Sequence, residues 1–140
     1  MTRAAERGSA SLYTVVFAGI GLILAALVID GAAMMNAHLR AADIAEQAAR
    51  AAADSIDVDH LRATGEVRLT GEAEACDQAQ QVVDGHGDEG VQLLECTVTE
   101  DRATVRIRLP WRTHFAALIG IDGNEREAEA TAGPQTGEEG

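Results

Sequence analysis

Leu12–Ile29 reads LYTVVFAGIGLILAALVI, eighteen residues without a formal charge, and this run limits every fold open to the chain. An α-helix rises about 1.5 Å per residue, so the run reaches roughly 27 Å, close to the hydrocarbon thickness of a bilayer. A helix that is apolar on every side needs lipid or a large protein core around it. The chain has 140 residues, most of the remainder acidic and alanine-rich, and offers no core of that size. A single membrane-spanning helix over residues 9–30 is therefore expected.

Arg3 and Arg7 precede the run, and the next basic residue beyond it is Arg40. Positive charge beside a span holds that end in the cytoplasm, which places the N-terminus inside and the remainder outside. Two other readings are open. One is a cleaved secretory signal with its small-residue site at Gly31-Ala32-Ala33; the other is a buried helix of a soluble protein. Signal cores run to about 7–15 apolar residues, and this one is longer and passes directly into helix-favouring sequence. The retained anchor fits best, and the soluble part is extracytoplasmic in either membrane reading.

All 11 basic residues are arginine, against 23 acids, for a net charge of −12. That balance argues against nucleic acid and anionic lipid surfaces as partners. The part outside the membrane can bury only a modest core. Its two cysteines, Cys76 and Cys96, are an even pair in an oxidising compartment and read as a disulfide. Closing a loop of that length is worth about 3 kcal/mol on the chain-entropy model. A metal site would need more thiols at another spacing, and a catalytic dithiol would be C-x-x-C.

Taken in order, residues 1–8 form a basic cytoplasmic leader and 9–30 the transmembrane helix. Residues 31–56 continue the helix outside the membrane, with Ala41, Ala45, Ala48, Ala52 and Ile56 on one face. Alanine favours helix intrinsically, so anchor and continuation make one helix of about 45 residues, roughly 65–70 Å long. Residues 57–132 form a small α+β domain. It opens with a connector at 57–70, followed by a second helix over Gly71–Val83 capped by Thr70, with Ala75, Cys76, Ala79, Val82 and Val83 inward. Glycines in Asp84–Gly90 stop that helix. Strands follow at Val91–Thr99, with a bulge near Leu94, at Ala103–Leu109, stopped by Pro110, and at Arg126–Ala132. Trp111–Ile121 is an apolar excursion between the last two strands. Arg106 and Arg108 are placed to face Glu127 and Glu129. Residues 133–140 are expected to be a disordered tail. The fold class is α+β: three antiparallel strands against the outer half of the long helix and a second helix, with the disulfide pinning that second helix to the first strand.

Little in the chain points to chemistry. Asp57, Asp59 and His60, or Asp84, His86, Asp88 and Glu89, could be imagined around a metal, but neither set has the alternating acids, glycine and distal glutamate of a calcium loop. His38 and His114 stand alone, and Ser9, Ser11 and Ser55 leave no place for a Ser/His/Asp triad. No enzyme activity, metal or cofactor is expected. Trp111 and Phe115, near Leu118 and Ile119, read either as core packing or as an exposed docking patch for a partner. Gly21 and Ala25 form a small-xxx-small pair that permits close packing of membrane helices.

Arg7-Gly8-Ser9, the single N-terminal anchor and LRAADIAEQAARAAA (Leu39–Ala53) together resemble TadE/TadG-like proteins, pseudopilins of the tight-adherence (Flp-type) pilus assembly system. IDVDHLRATGEVRL, FAALIGI and the closing EAEATA look like the actinobacterial members, as do the all-arginine basic residues and the high alanine content. The resemblance implies a membrane-anchored structural or assembly component, N-terminus inside. Its partners would be other pilus or secretion-system membrane proteins, in homo- or hetero-oligomers. It also implies a peptidase site after a glycine, here Gly8 before Ser9, with a glutamate five residues on. Tyr13 stands at that place. A tyrosine cannot neutralise a neighbouring subunit's new ammonium inside the membrane, so an uncut assembly factor is expected. The rival functions are a membrane-tethered cell-envelope module holding a wall or small-molecule ligand, for which the chain has few aromatic residues, and an envelope hydrolase, for which it shows no catalytic constellation.

Overall fold

The computed structural model describes residues 5–134, with the side chains of 5–9 outside the description. The first residues of the expected leader and most of the expected tail therefore lie outside the described residues. The first helix, α1, runs unbroken over Ala5–Ala53. No proline interrupts it, and its glycines do not break the hydrogen-bond ladder. It stops three residues short of Ile56, the expected end. Ile56 instead pairs with Leu69 in an isolated antiparallel bridge. The flanking backbone explains why: the Thr70 N–H donates to the Ser55 carbonyl at 2.7 Å and the Asp57 N–H to the Arg68 carbonyl at 2.9 Å. Those cross-chain bonds replace what another helical turn would have given.

The expected connector at 57–70 contains a short helix, α2 (Val58–Thr64). Asp57 caps its start by accepting from the His60 N–H at 2.9 Å, and Gly65, left-handed at φ 79°, closes its end. Helix α3 spans Glu72–Gly85, and its N-cap is Gly71, not Thr70. Thr70 is committed one step earlier, through its backbone, to the pairing with Ser55.

Strands β1 (Gln92–Val98), β2 (Ala103–Pro110) and β3 (Glu125–Ala132) form one antiparallel sheet in the order β1-β2-β3. The register of β1 on β2 shifts between Leu93 and Glu95, so the bulge falls at Leu94 as the broken alternation predicts. Pro110 is the last residue of β2, paired with Glu125, rather than lying just beyond the strand. Gly90 makes room for it: a Cβ there would lie 2.7 Å from the Pro110 ring, and its φ of +78° would strain any other residue.

The chain divides into two compact units. One is built from Met35–Trp111 and Asn124 onward, and holds the described core. There β2 buries Ala103, Val105, Ile107 and Leu109, α3 buries Ala75, Ala79 and Val83, and the outer half of α1 buries Ile44 and seven alanines. The α1 side of that core is alanine apart from Ile44. The Cys76–Cys96 disulfide joins α3 to β1, with Cα atoms 5.9 Å apart. Arg40 on α1 reaches Asp88, beyond α3, at 2.8 Å. The other unit comprises α1 as far as Met34 together with Arg112–Gly123, the excursion between β2 and β3.

Candidate functional site

In the unit that holds the inner half of α1, large aliphatic and aromatic side chains are exposed on every side of the helix. Phe17, Leu22 and Val28 are each about 70% exposed. Among the described residues α1 is the one helix long and apolar enough to cross a membrane. Gly21 and Ala25 lie on this open surface, and a Cβ added at Gly21 would meet nothing within 4 Å.

Asp30 closes the apolar run, and the structure gives it a task that the sequence reading missed. The residue is only 8% exposed. It accepts the backbone N–H groups of His114 and Ala116 at 2.7 Å each, and that of Phe115 at 3.2 Å. Three consecutive donors on one carboxylate are charge-assisted bonds, the stronger kind. They cap a 3₁₀ turn, Ala116–Ile119, that Gly120 ends at φ 79°. The Ile121 N–H donates back to the Ala116 carbonyl at 3.0 Å, and the Thr113 hydroxyl to the Ile121 carbonyl at 2.7 Å. An apolar groove results, bounded by Leu22, Ile23 and Leu27 of α1 and by Leu118, Ile119 and Ile121 of the excursion.

Of the four apolar residues singled out around Trp111, Phe115, Leu118 and Ile119 lie in this unit and Trp111 in the other. There Trp111 packs against the core and lies under the Arg126 guanidinium, 5.8 Å from the ring centroid. Phe115 is 42% exposed, Leu118 81% and Ile119 77%.

The acidic clusters are engaged locally. Asp57 caps α2 and pairs with Arg68 at 2.9 Å; the His60 N–H first, then Arg68, hold its carboxyl below the usual carboxylate value. Asp84 accepts from Gln80, the His86 ring contacts the Val82 carbonyl, and Asp88 pairs with Arg40. Among the described residues no three His, Cys, Asp or Glu side chains gather as a metal site. On the outer face of the sheet Arg106 bonds Glu129 and also reaches Glu95, and Glu129 raises its already high pKa. Arg108 pairs with Glu127 and Glu125. The expected Arg/Glu ladder is present in that register.

Residues 8–55 match the family model for putative TadE/G-like Flp pilus-assembly proteins. The match covers about a third of the chain and makes that stretch similar to TadE/G-like pilus-assembly proteins. No curated protein and no solved structure matches the chain. The TadE/G-like segment falls almost wholly within α1 and takes in both its exposed inner half and its buried alanine face. Gly8 and Ser9 belong to the helical backbone at its start, with side chains outside the description, and Tyr13 is exposed.

Proposed function

We propose that the chain is a membrane-anchored, pilin-like assembly component of a Tad (Flp-type) pilus or related secretion apparatus. In this reading residues 9–30 cross the bilayer with the N-terminus in the cytoplasm. Residues 31–56 continue outside, and 57–132 form an extracytoplasmic domain that works by contact with other subunits. The observation that carries it is the coincidence of the TadE/G-like match with one helix whose apolar half lies uncovered by protein. Large aliphatic side chains exposed along a whole helix are stable in lipid and costly in water.

The same reading keeps the leader uncut. Tyr13 stands where processing and filament packing would place a glutamate, and an unpaired ammonium in the membrane interior is costly. Four measurements test the proposal. Alkaline carbonate should leave the protein in the membrane pellet. Protease added to intact cells should reach the C-terminal domain. Crosslinking in the native membrane should capture other pilus subunits. Intact mass from the same membranes should equal the full chain, rising by two hydrogens on reduction. A chain recovered in the cytosol with reactive thiols would overturn the proposal.

A further inference from the structure

We infer that the Phe115–Ile121 excursion is a second membrane-embedded element, a foot whose apolar groove against α1 holds an acyl chain of the outer-leaflet lipid. The inference rests on the anchored reading above and goes beyond it, because a single span predicts nothing about residues so far along the chain.

Depth is the first argument. The groove is walled by Leu22, Ile23 and Leu27, which precede Asp30 by one to two helical turns, about 4–12 Å along the helix. Leu118, Ile119 and Ile121 therefore lie alongside the span rather than beyond its end. Whatever surrounds Leu22 and Leu27 surrounds them too. The second argument is exposure. Leu118 at 81% and Ile119 at 77% present nearly all their side chains outward, continuous with the uncovered surface of α1. Such a contiguous apolar surface calls for an occupant.

The third argument concerns the backbone. Non-helical backbone at membrane depth is tolerated where it is packed against protein and its polar groups are hydrogen-bonded. Here Asp30 takes the N–H groups of His114, Phe115 and Ala116, while those of Leu118, Gly120 and Ile121 bond carbonyls within the turn. The Ile121 carbonyl receives the Thr113 hydroxyl. These six N–H groups are satisfied within the turn or by the carboxylate at the end of the span, and the side chains presented outward at Leu118 and Ile119 are hydrocarbon. Exposed Arg112 and Asp122 bracket the stretch, as charged groups do where a chain leaves lipid for water. The occupant is the acyl chain rather than an anionic headgroup, since the chain's net charge is −12.

The test uses the full chain with its disulfide intact, reconstituted in phosphatidylcholine vesicles with or without brominated acyl chains. The chain's single tryptophan is removed by Trp111→Phe, and reporters are introduced one at a time as Leu118→Trp, Leu24→Trp in the span and Glu74→Trp on exposed α3. Brominated lipid should quench Leu118→Trp to the same extent as Leu24→Trp, with Glu74→Trp untouched. Quenching at Leu24→Trp alone would overturn the foot and leave the anchor standing. Iodide quenching of Leu118→Trp would then mean water, and protection from both quenchers would mean a second copy or another subunit. No bromine quenching at either site would overturn the anchor itself, and the foot with it. The unmodified chain supplies an independent arm: phosphatidylcholine with a photoactivatable acyl chain should label the tryptic peptide Thr113–Arg126, and an unlabelled peptide beside a labelled span overturns the foot.

Discussion

From Leu12 to Ile29 helix α1 carries leucine, isoleucine, valine and phenylalanine all round, and nearly all are exposed; from Ala41 to Ala53 the same helix turns a face of alanine inward, fully buried. The larger hydrophobic side chains are thus the uncovered ones. In water that order is reversed, since burying a leucine or phenylalanine gains about 1.5–3 kcal/mol and a methyl far less. The two halves are consequently built for different surroundings. In the outer half alanine gains little by transfer, but its small volume admits close approach by neighbouring elements. Stability there depends on fit, on the disulfide and on caps. The inner half depends on none of these.

The largest effect should come from the disulfide. Cys96→Ser removes the tie between α3 and β1 and should lower the stability of the sheet-bearing unit by about 2–5 kcal/mol in urea unfolding. Helicity of the inner half in vesicles should not change. Next, Ala48→Leu overpacks a fully buried site and should cost about 1–3 kcal/mol. Ala18→Leu, the same change on the exposed half, should stay within about 0.5 kcal/mol. Equal effects of the two would erase the contrast between the halves.

Asp30→Ala should release the cap on the excursion. Amide exchange at His114, Phe115 and Ala116 is then expected to rise on the order of tenfold, with the core strands unaffected. The smallest effect is pH-dependent and confined to the sheet-bearing unit. The Asp57 carboxyl titrates lower in the folded chain than when unfolded, so the unfolded state binds the proton more readily. Its contribution is complete above the unfolded value, about 3.9, and is lost as pH falls through the lower folded one. Asp57→Ala should flatten that part of the stability profile while leaving helicity of the inner half of α1 unchanged.

Much of this architecture was legible in the chain. Alternation in Ala103–Leu109 placed β2, a break in it placed the bulge at Leu94, and the order of arginines and glutamates placed the ladder between β2 and β3. Helix α2 was missed although its signals were there, an Asp57 cap and a Gly65 terminator around seven residues. Its helix is too short for an apolar period to show. Thr70 looked like a cap because cap chemistry is local, and it was displaced by a backbone pairing with Ser55 that is not.

By itself the sequence determined what is periodic, local or compositional: an uncharged run of spanning length, an alanine face, alternating strands and two cysteines. Tertiary structure alone decided that Asp30 caps a turn more than eighty residues later, and that Trp111 packs against the core of the sheet-bearing unit. The reason is physical. Periodicity reports which face of an element avoids water, but a carboxylate's acceptors and a side chain's neighbours come from segments that meet only after the chain has closed on itself.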